Sequence, residues 1–108
     1  MSIRVDLATL PAEIARFGAS ALLATAPAGG PPHVSSVYVT VAGTDLEMRV
    51  GRSTVTNVVA RPAVTLVWPS IDGEYCLIVD AETREAAPDR FVVRPTSAVL
   101  HRLAPPNP

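Results

Sequence analysis

Apolar residues recur along this chain in two rhythms. Leu7, Leu10, Ile14 and Phe17 fall three and four apart, which sets them on one face of a helix. Pro11 fits only the first turn of such a helix, and Gly18 suits the position just past its end. Most of the remaining chain reads as short β-forming runs separated by turn residues. Residues 19–26 are apolar and small, and by pattern alone fit helix or strand. The cluster 27–32 and the strand-like run 33–41 follow at once, so a hairpin is expected and 19–26 is read as its first strand. A turn at 41–45 leads to a third strand at 46–50. Residues 63–68 and 75–82 give the fourth and fifth strands, with a turn at 69–74 between them. Residues 85–89 are expected to break the chain, 91–94 to extend, 95–97 to interrupt, and 98–103 to form one more strand.

Between the third and fourth strands lies the stretch around which the rest is organised, residues 50–62. Gly51 is read as permitting a sharp exit from the strand, through backbone angles closed to other residues. Ser53 is read as the N-cap of a short helix. Val55, Val58 and Val59 are expected on one helical face, and Arg61-Pro62 ends it. The turn gathers an arginine, hydroxyls and free helix amides, a combination suited to cradling phosphate; the same Ser and Thr would equally serve as ordinary capping groups.

About six closely spaced strands with two small helices predict a mainly β fold, a small barrel that removes exposed sheet edges. At 108 residues the chain fits a single domain, expected at 1–103 with a frayed tail at 104–108. Hydrophobic content of 48% against 18% charged residues argues for a folded globule whose modest core a partner subunit would help. A formal charge of −1 offers no basic field for nucleic acid. All nine basic residues are arginine. Without lysine, Schiff-base chemistry and a Walker-type phosphate loop are excluded. The single cysteine, Cys76, excludes an internal disulfide and a paired-cysteine metal site, so no metal is expected. Residues 1–6 lack the apolar core of a signal peptide and no run reaches membrane-spanning length, so a cytoplasmic protein with no membrane partner is expected.

The ordered set of segments 21–26, 32–38 and 57–66, with the Gly-Pro turn between the first two, resembles the pyridoxamine 5'-phosphate oxidase-like split barrels, over about 7–103. That resemblance implies a six-stranded split β-barrel and a homodimer with FMN, or a deazaflavin coenzyme in some branches, at the subunit interface. It implies phosphate contacts from Arg52, Ser53 and Thr54, a recurrent polar position at Asn57, and a flavin ring lying along Val34, Ser35, Ser36 and Val37. Phosphate-binding members often carry basic residues where this chain has Thr54, Ser35 and Thr40, which leaves Arg52 and Arg49 to offset a dianion. The expected function is a flavin- or deazaflavin-dependent oxidoreductase of unassigned substrate. The alternative is a non-catalytic split-barrel dimer that has lost the cofactor or binds another small ligand.

Other residues carry chemistry only in particular settings. His33 is a candidate acid or axial haem ligand, or else a surface or capping histidine. His101 is too far along the chain to share a ligand spacing with it. Cys76 is expected to be an inert buried thiol. Asp80 and Glu82 share a strand face, as paired acids or as solvated residues. Trp68-Pro69 and Tyr38 are expected at a dimer contact, with stacking on a ligand ring as the other reading.

Overall fold

The computed structural model describes residues 2–106, and its elements run β1 (Ser2–Arg4), α1 (Leu10–Phe17), β2 (Ser20–Thr25), β3 (His33–Tyr38), β4 (Thr40–Ala42), β5 (Asp45–Met48), α2 (Arg52–Ala60), β6 (Ala63–Trp68), β7 (Tyr75–Ala87) and β8 (Arg90–Arg102). The fold is mainly β, as the pattern predicts. All strand pairs are antiparallel, in the order β3-β2-β6-β7-β8-β5-β4, with β1 added on β8.

The two ends of that order, β3 and β4, are separated only by Val39, whose N–H donates to Ala19 O at 2.8 Å. One run of chain therefore pairs with β2 through its first half and with β5 through its second. This joins the ends of the sheet and gives the split barrel. The sheet has eight strands rather than the expected six. Two things make the difference: the run at 33–41 is divided at Val39, and β1 joins β8 through Ser2–His101, Ile3–Leu100 and Arg4–Val99.

The long β7–β8 ribbon also differs from expectation. Residues 85–89 do not break β7, which continues to Ala87. Pro95-Thr96-Ser97 does not interrupt β8 either. Asp80 lies opposite Ser97 while Ala81 lies opposite Pro95, so Thr96 is the extra residue of a bulge. A second irregularity leaves Arg84 as the extra residue on β7. A bulge accommodates proline, which has no N–H to give the ladder.

Leu23, Leu66, Leu77, Val79, Phe91 and Val93 fill the barrel core and are fully buried. Leu10 and Ile14 of α1 join them. Trp68 is fully buried too, and its indole N–H donates to Gly18 O at 2.8 Å. That bond ties the end of α1 to the barrel, so Trp68 is a core residue and neither a dimer contact nor a ligand platform. Gly18 N–H in turn donates to Ile14 O, with Gly18 at φ 104° closing the helix. In the expected tail, Ala104, Pro105 and Pro106 are exposed and outside any strand, while 107 and 108 lie outside the described residues.

Candidate functional site

The turn after β5 is built differently from its sequence reading. Val50 N–H donates to Pro88 O at 3.0 Å, holding the chain beside the β7–β8 turn as it leaves the sheet. The N-cap of α2 is Gly51 rather than Ser53, at φ −84° and ψ 172°, and no side chain caps the helix. That φ is ordinary extended backbone, so Gly51 is not needed for an unusual angle. A Cβ there would meet nothing within 4 Å, so the space before the helix is open. The first helical bond runs from Val55 N–H to Gly51 O at 3.3 Å. The amides of Arg52, Ser53 and Thr54 have no acceptor among the described residues. Such orphan donors carry the positive end of the helix dipole.

The side chains on this helix divide sharply. Arg52 and Ser53 are exposed, whereas Thr54 is 1% exposed and has only its amide to offer outward. Val58 shares the inward face with Thr54, while Val59, expected on the face of Val58, is 76% exposed. Asn57 donates from Nδ2 to Thr25 Oγ1 at 3.0 Å, and Thr25 is itself buried. Asn57 therefore fastens α2 to β2. Thr25 lies directly opposite His33, whose Nδ1 is buried without a partner.

The pleat of β3 sorts the four expected ring contacts. His33, Ser35 and Val37 point with the buried set, and Val34, Ser36 and Tyr38 point outward. Because β3 ends the sheet and pairs only with β2, its other edge has unpaired backbone groups. A groove of about 620 Å³ lies between Ser36, Val37, Tyr38 and Thr40 on one side and Glu47, Met48 and Arg49 on the other. Arg90 at its rim is bridged to Glu47 at 2.9 Å and Glu85 at 3.0 Å. The hydrogen bond to Glu85, with the Glu47 charge beside it, raises the Arg90 guanidinium above its ordinary value. Arg49 is exposed and makes no ion pair or hydrogen bond among the described residues. Of the two arginines in this groove, Arg90 is bridged and Arg49 is not; Asp89 also lines it, whereas Arg52, Ser53 and Thr54 do not. Strand alternation turns Glu47 and Arg49 outward while Leu46 and Met48 point in, which agrees with the sequence reading that keeps Arg49 as a charge for an anion.

The outer face of the sheet carries an apolar row. Register places Leu22 beside Val67, Val67 beside Ile78, and Ile78 beside Val99. Leu22, Val34 and Tyr38 are 38%, 56% and 78% exposed at its β2–β3 end. At the β1 end Cys76 is half-buried directly opposite His101, with its thiol 3.6 Å from His101 O, and the imidazole Nδ1 lies 3.0 Å from Ser2 Oγ. Asp80 accepts the hydroxyls of Thr65 at 2.8 Å and Ser97 at 3.3 Å, which stitches three strands together. No group of three His, Cys, Asp or Glu residues able to hold a metal occurs among the described residues. No described helix is long and apolar enough to cross a membrane.

No protein-family model matches the chain, and no curated protein matches its sequence. Solved structures do match its fold. The FAD binding protein from Mycobacterium smegmatis has 20% identity and TM-score 0.64, covering 96% of this chain and 100% of that one. A pyridoxamine 5'-phosphate oxidase candidate from Listeria innocua has 15% identity and TM-score 0.67 over 88% and 98%. An F420 reductase has 22% identity and TM-score 0.60 over 73% and 87%. HutZ, the heme storage protein from Vibrio cholerae, has 16% identity and TM-score 0.62 over 86% and 94%. At these identities the likeness shows a shared split-barrel fold.

Proposed function

We propose that this split barrel is a homodimer that binds a flavin-type cofactor, FMN or a deazaflavin, in the groove between β3 and the β5–α2 turn, and uses it for a redox reaction. The observation that carries the reading is the free edge of β3 sharing one groove with Arg49, which makes no ion pair among the described residues and lies three residues before a set of unpaired helix amides. The donors fit a phosphate. The Arg49 and Arg52 guanidiniums would balance its charge, and the Ser53 hydroxyl with the amides of residues 52–54 would fix its oxygens. The backbone of β3 would orient the ring, with Val34 and Ser36 presenting side chains and Ser35 and Val37 contributing backbone. When bound, a flavin supplies the hydride chemistry, and the protein supplies position and charge.

The dimer reading rests on the apolar row from Leu22 to Val99. Val67, Ile78 and Val99 are half-buried and Leu22, Val34 and Tyr38 exposed, and a row of apolar side chains open to solvent is a common mark of a protein contact. A cytoplasmic setting fits the unpaired Cys76. The retained alternative is a non-catalytic dimer. Thr54 is buried and Asn57 is engaged with Thr25, so two of the expected phosphate-side groups contribute less than the resemblance implies.

Titration of the purified protein with FMN and with a deazaflavin, followed by cofactor fluorescence, decides between the two. We expect saturation at micromolar cofactor. Arg49→Ala is expected to weaken binding by about tenfold or more, since a charge-assisted bond is worth about 1.5–3 kcal/mol. No binding at millimolar of either cofactor would establish the alternative. Hemin titration in parallel covers binding of haem through His33, and sedimentation measures the dimer.

A further inference from the structure

A second cavity lies away from the flavin groove and shares no residue with it. It holds about 480 Å³ and is bounded by Leu7, Leu10 and Ile14 from the α1 region and by Val41 and Leu46 from the β4–β5 hairpin. That size lies within the range of small-molecule pockets, and the mix of apolar walls with few polar groups is theirs as well. Its charged lining is a single pair, Arg94 and Asp45, joined from Nε to Oδ1 at 2.9 Å. That is the one hydrogen bond the Arg94 side chain makes among the described residues, so both terminal nitrogens keep their N–H donors. The Arg94 side chain is 45% exposed, enough to receive a ligand.

The cavity walls are fixed in place. The segment entering α1 is braced by Ala8 N–H to Asp6 Oδ1 at 3.0 Å and by Thr9 Oγ1 to Asp6 O at 2.9 Å. The far end of α1 is held by Trp68 to Gly18. A crevice held at both ends of the helix exists before any ligand arrives, which lowers the cost of filling it.

We propose that this crevice binds a hydrocarbon-tailed monocarboxylate, with the tail against Leu7, Pro11 and Val41 over the buried Leu10, Ile14 and Leu46, and the carboxylate on the terminal N–H groups of Arg94. A guanidinium with one edge engaged still offers parallel donors that match a carboxylate. A cationic amphiphile would have to displace Arg94 from Asp45.

The test is calorimetric titration with octanoate, octanol and octylamine, with backbone amide shifts recorded at Ala8, Gly43 and Thr44. Octanoate is expected to bind about tenfold more tightly than octanol and to shift those three amides. Arg94→Gln should reduce octanoate to the octanol level and leave octanol unchanged. Asp45→Asn should keep the preference for octanoate, which separates a ligand contact from loss of the ion pair. The proposal is overturned if octanol or octylamine binds as well as octanoate, if the shifts fall on β3 instead, or if millimolar octanoate gives no heat and no shifts. It is also overturned if those amides shift with protein concentration alone, because a second copy then fills the crevice. None of these readouts depends on flavin binding.

Discussion

The two helices are about the same length and are built for opposite ends. α1 has Leu10 and Ile14 buried, an Arg16–Glu13 bridge along its exposed side, a glycine closing its last turn, and a tryptophan bond to that glycine. α2 buries Thr54 and Val58 and leaves Val59 outside; neither helix has a side-chain cap, but Leu10 and Ala12 N–H at the start of α1 donate to Leu7 O and Thr9 O, and the first amides of α2 find no such acceptor among the described residues. Its link to the sheet is a polar one, from Asn57 to Thr25. α1 is tied into the barrel at its end, whereas α2 leaves its first amides to solvent, open to an arriving acceptor.

The sharpest way to break this contrast is Trp68→Ala. Emptying a fully buried indole site should cost about 3–5 kcal/mol and release α1, as read by denaturant unfolding. Trp68→Phe separates the volume from the lost bond to Gly18. Next is Gly18→Ala. At φ 104° and ψ −176° an alanine is strained whatever space it has, so a loss of about 1–3 kcal/mol is expected in the same assay. Gly51→Asp tests the opposite helix. The site has room and a permitted φ, and a carboxylate cap on the free amides should stabilise the fold by about a few tenths of a kcal/mol over glycine. The same charge should abolish binding of FMN, whose phosphate would occupy that place. A variant that melts no lower yet loses the cofactor marks α2 as the binding helix; retained binding refutes that role.

The smallest effect concerns the turn before β7, away from both helices. Asp72 accepts the Glu74 N–H at 2.8 Å, and this bond chiefly holds its carboxyl below the ordinary 3.8. With the folded value depressed, the turn's stabilisation is complete above that ordinary value and is lost as pH falls through the folded one. Amide exchange at Gly73 and Glu74, corrected for intrinsic acid catalysis, should lose protection over that interval, and Asp72→Asn should flatten the profile.

Much of the architecture could be read from periodicity because it depends on neighbours in the chain. The 63–68 strand, the helix ending before Gly18 and the 19–41 hairpin all belong to this class. The failures have the opposite origin. β1 is three residues long and its partner lies near the other end of the sequence, so no local pattern announces it. Pro88 and Pro95 look like breakers, but the β7–β8 ribbon turns at one and bulges at Thr96, next to the other. At the site, Ser53 resembles a cap more than Gly51 does, yet the extended turn from Val50 starts the helix two residues earlier. Arg49 is named from the sequence only as a charge left to offset a dianion; that it lies across from β3 depends on pairing between distant strands, which no local pattern carries.

Val39 acts as a clasp. It sits between the segment that pairs with β2 and the one that pairs with β5, is 5% exposed, and is flanked by Tyr38 and Thr40, which both line the groove that holds Arg49. The angle the chain takes at this residue sets the spacing of the mouth. Trimming the valine to alanine would loosen the seam of the cylinder and the jaws beside it together, so closure of the barrel and the gauge of its opening are one property.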